Sequence, residues 1–399
     1  MRTPVVLLVG QEHTAGIAAT LMERPGTAVI SHHFDGQVVR RRVSMLRADQ
    51  AWTSDQILEV ANACVTSTIR NDLLVLLRRV HRRDDVDRIV VVLDEWMEPE
   101  PLCYEINHTL VLLGPGYLDG PASRDVNITA VVTCIDTSNW LARAVGRDEL
   151  DDQRSIAAVV VDQAAFTDVL VLTLPDRKTE AVLRRLAPRS RITCDAANIE
   201  SILRDLHPHS RANADFDPHA PVLAGEPPLK PDGDVALVDF TAKRPFHPDR
   251  LHAAIDVLLD DVVRSRGRIW LASQTDTVVW IESAGGELSV ANAGRWLAAM
   301  HPSEIGAADA QRRAVAAAHW DEEHGDRHVA LTILTYGADP VLVRAALQEA
   351  LLTDDEFSEP QRWSDYADPF CDWHLEPCGT IPHDPNIFSA HRTDDGDLP

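Results

Sequence analysis

The chain has 399 residues, 45% of them apolar, and a formal net charge of −24. This length predicts two domains, and the apolar fraction excludes a disordered chain. The negative charge argues against extended direct binding to nucleic acid, whose phosphates it would repel. No apolar run approaches the roughly 18 residues that a membrane-spanning helix needs, and residues 1–10 lack the features of a signal peptide, so we expect a cytoplasmic protein.

The first 205 residues alternate strand-like and helix-like segments. Short, unbroken apolar runs are typical of parallel strands that are covered on both faces. The runs lie at Val5–Val9, Thr27–Ile30, Arg88–Leu93, Ile128–Ile135 and Val169–Thr173. Between them we expect helices that include one from Ser54 through Val60 and one over Ile69–Val80. This alternation predicts an α/β domain with a parallel sheet over residues 1–205.

A smaller second domain is expected after a linker. Residues 206–233 contain six prolines and no periodic pattern, which is typical of a segment between domains. Over 234–357, strands with few helices between them predict an α+β domain on an antiparallel sheet. Residues 358–399 are expected to form an acidic tail. The expected strands are Val235–Phe240, Arg268–Ala272, Val278–Glu282 and His328–Leu334, and the expected helices are His247–Val263 and one that ends at Leu351.

The start of the chain, with a strand, a glycine and a helix, has the outline of a phosphate-binding loop. Such a loop needs G-x-x-x-x-G-K-[ST], in which backbone amides and the lysine hold phosphate and the hydroxyl holds magnesium. Here residues 10–17 are GQEHTAGI, so the lysine and the hydroxyl are missing and Glu12 adds a negative charge. The only lysines of the chain are Lys178, Lys230 and Lys243, so no earlier lysine can take over.

Three strings in the second domain resemble signatures of the CobW-like GTPases, a family that includes zinc chaperones and cobalamin-pathway insertases. RPFHPDRL at 244–251, RSRGRIWLA at 264–272 and AGRW at 293–296 are similar to the family's RPFHPERL, RSKGFLWLA and GRW. The resemblance extends to about residue 357. It implies a degenerate P-loop NTPase-like parallel-sheet domain followed by a smaller α+β domain of the CobW C-terminal type.

The first domain resembles this family in outline and departs from it at the nucleotide and metal motifs. CVTSTIRNDL at 64–73 is similar to the family's C-x-C-C followed by T-L-R-x-D-L, but Cys64 is the one thiol left of three. Because thiolates are the ligands that structural zinc prefers, a high-affinity site there is not expected. VLDEWMEP at 92–99 stands where the family has E-T-T-G-L-A-D-P, and TLPD at 173–176 stands where it has the guanine-reading N-K-x-D.

We therefore expect a vestigial nucleotide site, with Gly10, Gly16, Asp94 and Asp176 as its remnants. Asp94, Glu95 and Asp176 could hold magnesium, although carboxylates at strand ends are commonly just solvated. The expectation is no catalytic residue, no GTP hydrolysis and no required cofactor.

Zinc remains possible in the tail. Cys371, His374, Cys378 and His383 offer two thiolates and two imidazoles, the donors of a tetrahedral zinc site, although their spacing matches no standard zinc finger. The alternative is an acidic tail with incidental cysteines. Cys64 is the other candidate ligand.

The chain is also similar to a subgroup of CobW-like proteins with a decayed nucleotide site. This resemblance implies a non-catalytic adaptor of the zinc-starvation response, which recruits a ribosome hibernation factor to the small ribosomal subunit. Such partners are typically basic, and an acidic adaptor would be steered toward them. Two alternatives stay open: a zinc metallochaperone GTPase of the CobW type, and a zinc-binding sensor protein.

Overall fold

A computed structural model describes residues 2–47, 50–60, 64–206, 218–220, 222–223 and 225–370, and the backbone of 374–375. In the first domain, the described residues form one eight-stranded sheet in the order β4-β3-β2-β5-β1-β6-β7-β8. The strands are β1 (Thr3–Val9), β2 (Thr27–Phe34), β3 (Val39–Arg47), β4 (Gln50–Leu58), β5 (Arg88–Val92), β6 (Val126–Ile135), β7 (Val169–Leu172) and β8 (Arg191–Thr193). All pair in parallel except β3 and β4, which extend one edge as an antiparallel hairpin. The predicted α/β domain with a parallel sheet is confirmed.

Helices cover both faces of this sheet. They are α1 (Thr14–Met22), α2 (Val65–Val80), α3 (Pro99–His108), α4 (Trp140–Ala144), α5 (Ile156–Ala165), α6 (Arg177–Leu186) and α7 (Ile199–Arg204). Because successive strand residues point to opposite faces, β1 alone feeds two cores. Val5 and Leu7 pack in the cluster that holds Leu77 of α2, while Val6 and Leu8 pack in the cluster that holds Leu21 of α1.

The predicted helix from Ser54 to Val60 is wrong, because this segment is strand β4. Its residues pair antiparallel with β3, with Ser54 opposite Val43. Cross-strand contacts stabilise the hairpin: the Arg47 guanidinium lies 4.4 Å from the centre of the Trp52 ring, and Arg42 donates to Asp55 at 2.7 Å. A polar edge strand of this kind lacks the continuous apolar run by which a central strand can be recognised in the sequence.

The second domain is a mostly antiparallel sheet in the order β14-β12-β11-β10-β13-β9 within the described residues. Its strands are β9 (Val235–Ala242), β10 (Val262–Ile269), β11 (Thr277–Ala284), β12 (Glu287–Arg295), β13 (Val329–Tyr336) and the two-residue β14 (His374–Leu375), which pairs in parallel with β12. Its helices are α8 (Pro248–Ala253), α9 (Pro302–Ala307), α10 (Ala310–His319), α11 (Pro340–Ala350) and α12 (Asp354–Phe357). The α+β prediction is confirmed.

Two element predictions in this domain are wrong. The helix expected over His247–Val263 ends at Ala253, and Val262 already belongs to β10. The strand expected over Arg268–Ala272 ends at Ile269. Arginines at alternate positions of β10 hide its strand pattern, because a charged residue every second position resembles a solvent-exposed segment.

The two domains share a buried apolar cluster. Trp140, Val160 and Leu183 of the first domain pack with Val263 and Leu334 of the second. Of segment 206–233, the described part also contacts the domains: Arg268 donates to the carbonyls of residues 218 and 220, and Arg185 donates to that of residue 230. None of the helices in the described part of the chain is long and apolar enough to cross a membrane.

Candidate functional site

The remnants Gly10, Asp94 and Asp176 follow β1, β5 and β7, so they lie at the carboxyl edge of the parallel sheet. This edge is where α/β sheets bind their ligands. Gly16 lies in the first turn of α1, and a Cβ at this position would have no atom within 4 Å. Counted from Gly10, Gly16 occupies the position of the lysine in a phosphate-binding loop. An exposed glycine therefore replaces the positively charged residue of that motif.

Glycine at position 10 is required by the backbone. Its φ is +124°, and a Cβ there would lie 2.3 Å from the carbonyl oxygen of Cys134 on β6. The following helix starts differently from a standard one: His13 at its N-cap has φ +63° and its side chain makes no capping hydrogen bond. The close approach of β1 to β6 therefore explains this glycine without a ligand.

Two glutamine amides tie this loop to the segment after β5. Gln11 Nε2 donates to Gln163 Oε1 at 2.6 Å and to the Glu95 carbonyl at 3.2 Å. Gln163, on α5, is 1% exposed and its Nε2 donates to the carbonyls of Glu95 and Met97, each at 2.9 Å. The loop after β1 and the segment after β5 are thus joined by neutral side chains of the protein itself.

The loop itself carries one acidic residue and no lysine or arginine. Glu12 and His13 form an exposed contact of 3.8 Å between carboxylate and imidazole. The lysine nearest in sequence, Lys178, lies 3.4 Å from Asp234 and 5.7 Å from the centre of the Tyr336 ring, both in the second domain. Lys178 therefore contacts the second domain and is not available to the loop after β1.

The remaining carboxylates differ in what they bind. The half-buried Asp94 begins a turn, since its carbonyl accepts from the Met97 amide at 3.0 Å. Asp176 caps α6: its carboxylate accepts from the amide of Thr179 at 2.8 Å and from its hydroxyl at 2.6 Å. These hydrogen bonds lower the pKa of Asp176. Leu174, beside it, has 68% of its surface exposed.

Cys64 is the N-cap residue of α2. Its sulfur is hydrogen-bonded to the Ser67 hydroxyl at 3.1 Å and accepts from the Ser67 amide at 3.4 Å. The thiolate can accept from both groups, which lowers the pKa of Cys64. Among the residues that the structure describes, no group of three or more His, Cys, Asp or Glu side chains could hold a metal ion. Cys371, Cys378 and His383 lie outside the described residues, and only the backbone of His374 is described.

The rest of the similar string, Arg70 and Asp72, has structural partners. Asp72 accepts from Arg41 and lies 2.7 Å from His32 Nε2, joining α2 to the edge hairpin. Arg70 donates to Glu105 of α3.

Sequence reasoning missed the pair Gln11 and Gln163. A signal was present, since Gln163 is a polar residue in the apolar helix IAAVVVDQAA, where a buried amide must find partners.

The fold and this edge of the sheet define a P-loop-like α/β domain joined to an α+β domain. Family models match both parts: "CobW/HypB/UreG, nucleotide-binding domain" over residues 26–200 and "Cobalamin synthesis protein cobW C-terminal domain" over 235–351. Relatives from Mycobacterium tuberculosis, named a zinc chaperone, and Mycobacterium bovis, named uncharacterized, are each 54% identical over 392 residues, 98% of both chains. The chain belongs to the CobW family.

Two more distant likenesses carry related names. A Dictyostelium discoideum protein named zinc-regulated GTPase metalloprotein activator 1 is 24% identical over 345 residues, 79% of this chain and 70% of that protein. The solved structure of the Zn(II)-bound YjiA GTPase from E. coli overlaps 88% of this chain and 99% of its own, at 15% identity and a TM-score of 0.39.

Proposed function

We propose that this chain acts in zinc homeostasis as a binding protein that does not hydrolyse GTP. The observation that carries the proposal is the glutamine bridge, in which Gln11 and Gln163 join the loop after β1 to the segment after β5. Nucleotide phosphates would have to enter between these two segments, and here the protein's own neutral amides connect them.

The charge of a nucleotide supports the same proposal. A triphosphate with magnesium is bound through a loop lysine and a hydroxyl on the metal. In this chain those two positions are Gly16 and Ile17, and Ile17 is buried. Glu12 would repel the phosphates, and the protein already has a formal net charge of −24. The residues present do not fit a GTP–magnesium complex, so we derive no step through one. The match to the family's nucleotide-binding model also begins at residue 26, beyond this loop.

Titration calorimetry with GTP and magnesium tests whether the chain binds the nucleotide. We expect no binding at nucleotide levels on the order of 1 mM, whereas a dissociation constant of about 1 μM, worth about −8 kcal/mol, would overturn it. The Dictyostelium relative, which is named a GTPase, is the positive control.

The more specific proposal is an adaptor of the zinc-starvation response that brings a ribosome hibernation factor to the small ribosomal subunit. An adaptor needs binding surfaces and no turnover, so it tolerates the loss of catalytic groups. The net charge of −24 suits a basic partner, and the association should weaken with salt, because exposed charges are screened over about 10 Å at 0.1 M.

Ribosomes from zinc-starved cells test the adaptor directly. We expect hibernation factor on the small subunit in cells that have this protein and a large loss of it in cells that lack it. Equal occupancy in both would rule the adaptor out. Re-expression of the wild-type chain restores occupancy and controls for effects on neighbouring genes.

A second candidate is a zinc metallochaperone of the CobW type, which the name of the M. tuberculosis relative favours. It requires zinc ligands and, in the GTPase form, nucleotide affinity. Zinc titration of wild type and of Cys64→Ser and Cys371→Ser/Cys378→Ser variants separates the two. Zinc binding that needs these thiols, together with GTP binding, would favour the chaperone over the adaptor.

A further inference from the structure

A cavity of about 100 Å³ lies between the two domains. Three arginines line it: Arg185 from α6, and Arg264 and Arg266 from β10. Thr332 of β13 adds a hydroxyl, and residues such as Leu334 close the apolar side. Within the described part of the chain, no carboxylate lines this cavity. An arginine-lined cavity without acids is unexpected in a protein of charge −24.

Strand alternation explains why two of these arginines meet there. Arg264 and Arg266 are two residues apart on β10, so they share one face of the second sheet. Arg264 reaches across to α5, where it donates to Asp162 at 2.7 Å, and it also pairs with Glu282 on β11. Its Nε is buried without a hydrogen-bond partner. The charge of Arg264 is therefore balanced, while one of its donors remains unused.

Arg185 is different, because its charge is not balanced by a hydrogen-bonded carboxylate. The residue is 7% exposed, and it donates from Nη1 to the Ala181 carbonyl at 2.7 Å and from Nη2 to the Lys230 carbonyl at 2.5 Å. Its Nε is buried and has no hydrogen-bond partner. Burial lowers the pKa of this guanidinium, and the charge of Asp232 only partly offsets that effect. A buried charge bonded only to neutral carbonyls is costly, and an anion beside it would remove that cost.

We propose that this cavity between the domains binds a phosphate group. Its volume would hold about three water molecules, which is comparable to one phosphate. Guanidinium groups suit phosphate because they offer planar, charged donors to its oxygens, and here they approach from two elements. The ligand is either the free ion or the phosphate end of a larger ester. Because its ligands come from α6 and β10, binding would hold the two domains together.

Thermal unfolding of the full chain tests the site, with phosphate compared against chloride at equal ionic strength. The key variant is Arg185→Met, which removes the charge and keeps most of the side-chain volume. The matched control is Arg184→Met: Arg184 is the next residue on α6, is exposed, and pairs with Glu180 at 3.2 Å. We expect phosphate to raise the melting temperature of wild type and Arg184→Met, and to have no such effect on Arg185→Met.

The same experiment excludes a purely structural role for Arg185. If Arg185 only ties two carbonyls together, Arg185→Met should melt lower by the same amount in both buffers, and wild type should not respond to phosphate; that result overturns the proposal. An equal response to chloride also overturns it. If Arg185→Met does not fold, Arg266→Met takes its place, with an expected loss of at least tenfold in phosphate affinity by calorimetry. Glycerol phosphate in place of phosphate identifies the source: an equal shift indicates an ester, and no shift indicates the free ion.

Discussion

The motif positions of the two domains differ in what their side chains contact. In the second domain, Phe246 and Trp270 are fully buried, and Arg250 donates two hydrogen bonds to Glu356 and one to the Leu351 carbonyl. In the first domain, a Cβ added at Gly16 would meet no atom within 4 Å, and Leu174 is 68% exposed. These residues of the second-domain strings therefore stabilise the fold, whereas side chains at the two first-domain positions would be open to a ligand.

The first-domain residues that still resemble the family follow the same rule. Gly10 permits the approach of β1 to Cys134, Asp176 caps α6, and Asp72 links α2 to Arg41. Each of these residues has a structural role that does not require a nucleotide. These contacts stabilise the P-loop-like domain without any ligand.

Two glycine substitutions give the largest expected contrast between the regions. A Cβ at Gly267, where φ is +153°, would lie 2.0 Å from the Ala330 carbonyl on the neighbouring strand, so Gly267→Ala should destabilise the protein by about 3 kcal/mol. Gly16→Ala, in an open helical position, should stabilise it by roughly 0.5–1 kcal/mol. Urea unfolding measures both. Equal effects would show that the loop region packs as tightly as the second domain.

The next expected effect is a pH dependence that comes from the second domain. His328 is 4% exposed, its Nδ1–H donates to the Asp326 carbonyl, and its ring stacks on His319 at 4.0 Å. Burial, together with the charges of Arg268 and His319, lowers the pKa of His328 from 6.5 to about 4. The unfolded chain therefore binds this proton first, so stability should fall as the pH drops from 6.5 to about 4, by at most about 3 kcal/mol.

The variant His328→Gln isolates that contribution. It keeps a donor for the carbonyl and cannot titrate, so its unfolding free energy should change less over the same pH range. A residual slope is expected, because burial also lowers the pKa of His319. An unchanged slope would remove His328 as its source.

A smaller effect is expected from the glutamine bridge. Gln163→Leu leaves the Met97 carbonyl without its side-chain donor and the Glu95 carbonyl with only the longer bond from Gln11, and it should cost about 1–3 kcal/mol. Gln11→Ala, at a half-exposed position, should cost less than about 1 kcal/mol. Neither variant should gain GTP affinity, because the lysine position remains glycine. GTP binding by Gln163→Leu would mean that the bridge alone blocks the nucleotide.

The central strands could be predicted from sequence because burial on both faces makes them continuous apolar runs, as in IVVV of β5 and VLVL of β7. The polar edge strand β4 and the arginine-rich strand β10 could not be predicted in this way. Asp55 on β4 and Arg264 on β10 are satisfied by partners 13 and 102 residues away, Arg42 and Asp162. No local sequence pattern reveals such pairs. For this reason the sequence predicts a helix at β4 and a strand that begins six residues after the true start of β10.

In the candidate site, too, some features could be predicted from the sequence and others could not. The missing lysine and the negative charge of Glu12 could be seen in the sequence, because they are matters of residue type. The glutamine bridge could not, because Gln11 and Gln163 are 152 residues apart and meet only through the parallel sheet. The cavity lined by Arg185 and Arg266 depends on the packing of two domains, which the sequence does not specify in any local segment.

The smallest expected effect concerns Cys64, the thiol left in the string that resembles the family's metal motif. Two hydrogen bonds with Ser67 at the start of α2 lower its pKa, whereas burial and Glu180 raise that of the exposed Cys194. Because the thiolate is the reactive form, iodoacetamide near pH 7.5 should alkylate Cys64 several-fold faster than Cys194, as measured peptide by peptide with mass spectrometry. Ser67→Ala should remove most of this advantage and leave the rate at Cys194 unchanged. If Cys64 keeps its rate in Ser67→Ala, the Ser67 hydroxyl is not the cause, and the backbone amide at position 67 or another group must stabilise the thiolate. Zinc that protects Cys64 from alkylation would show that this thiol still serves a ligand, and Cys64 would then be an exception to the contrast between the two domains.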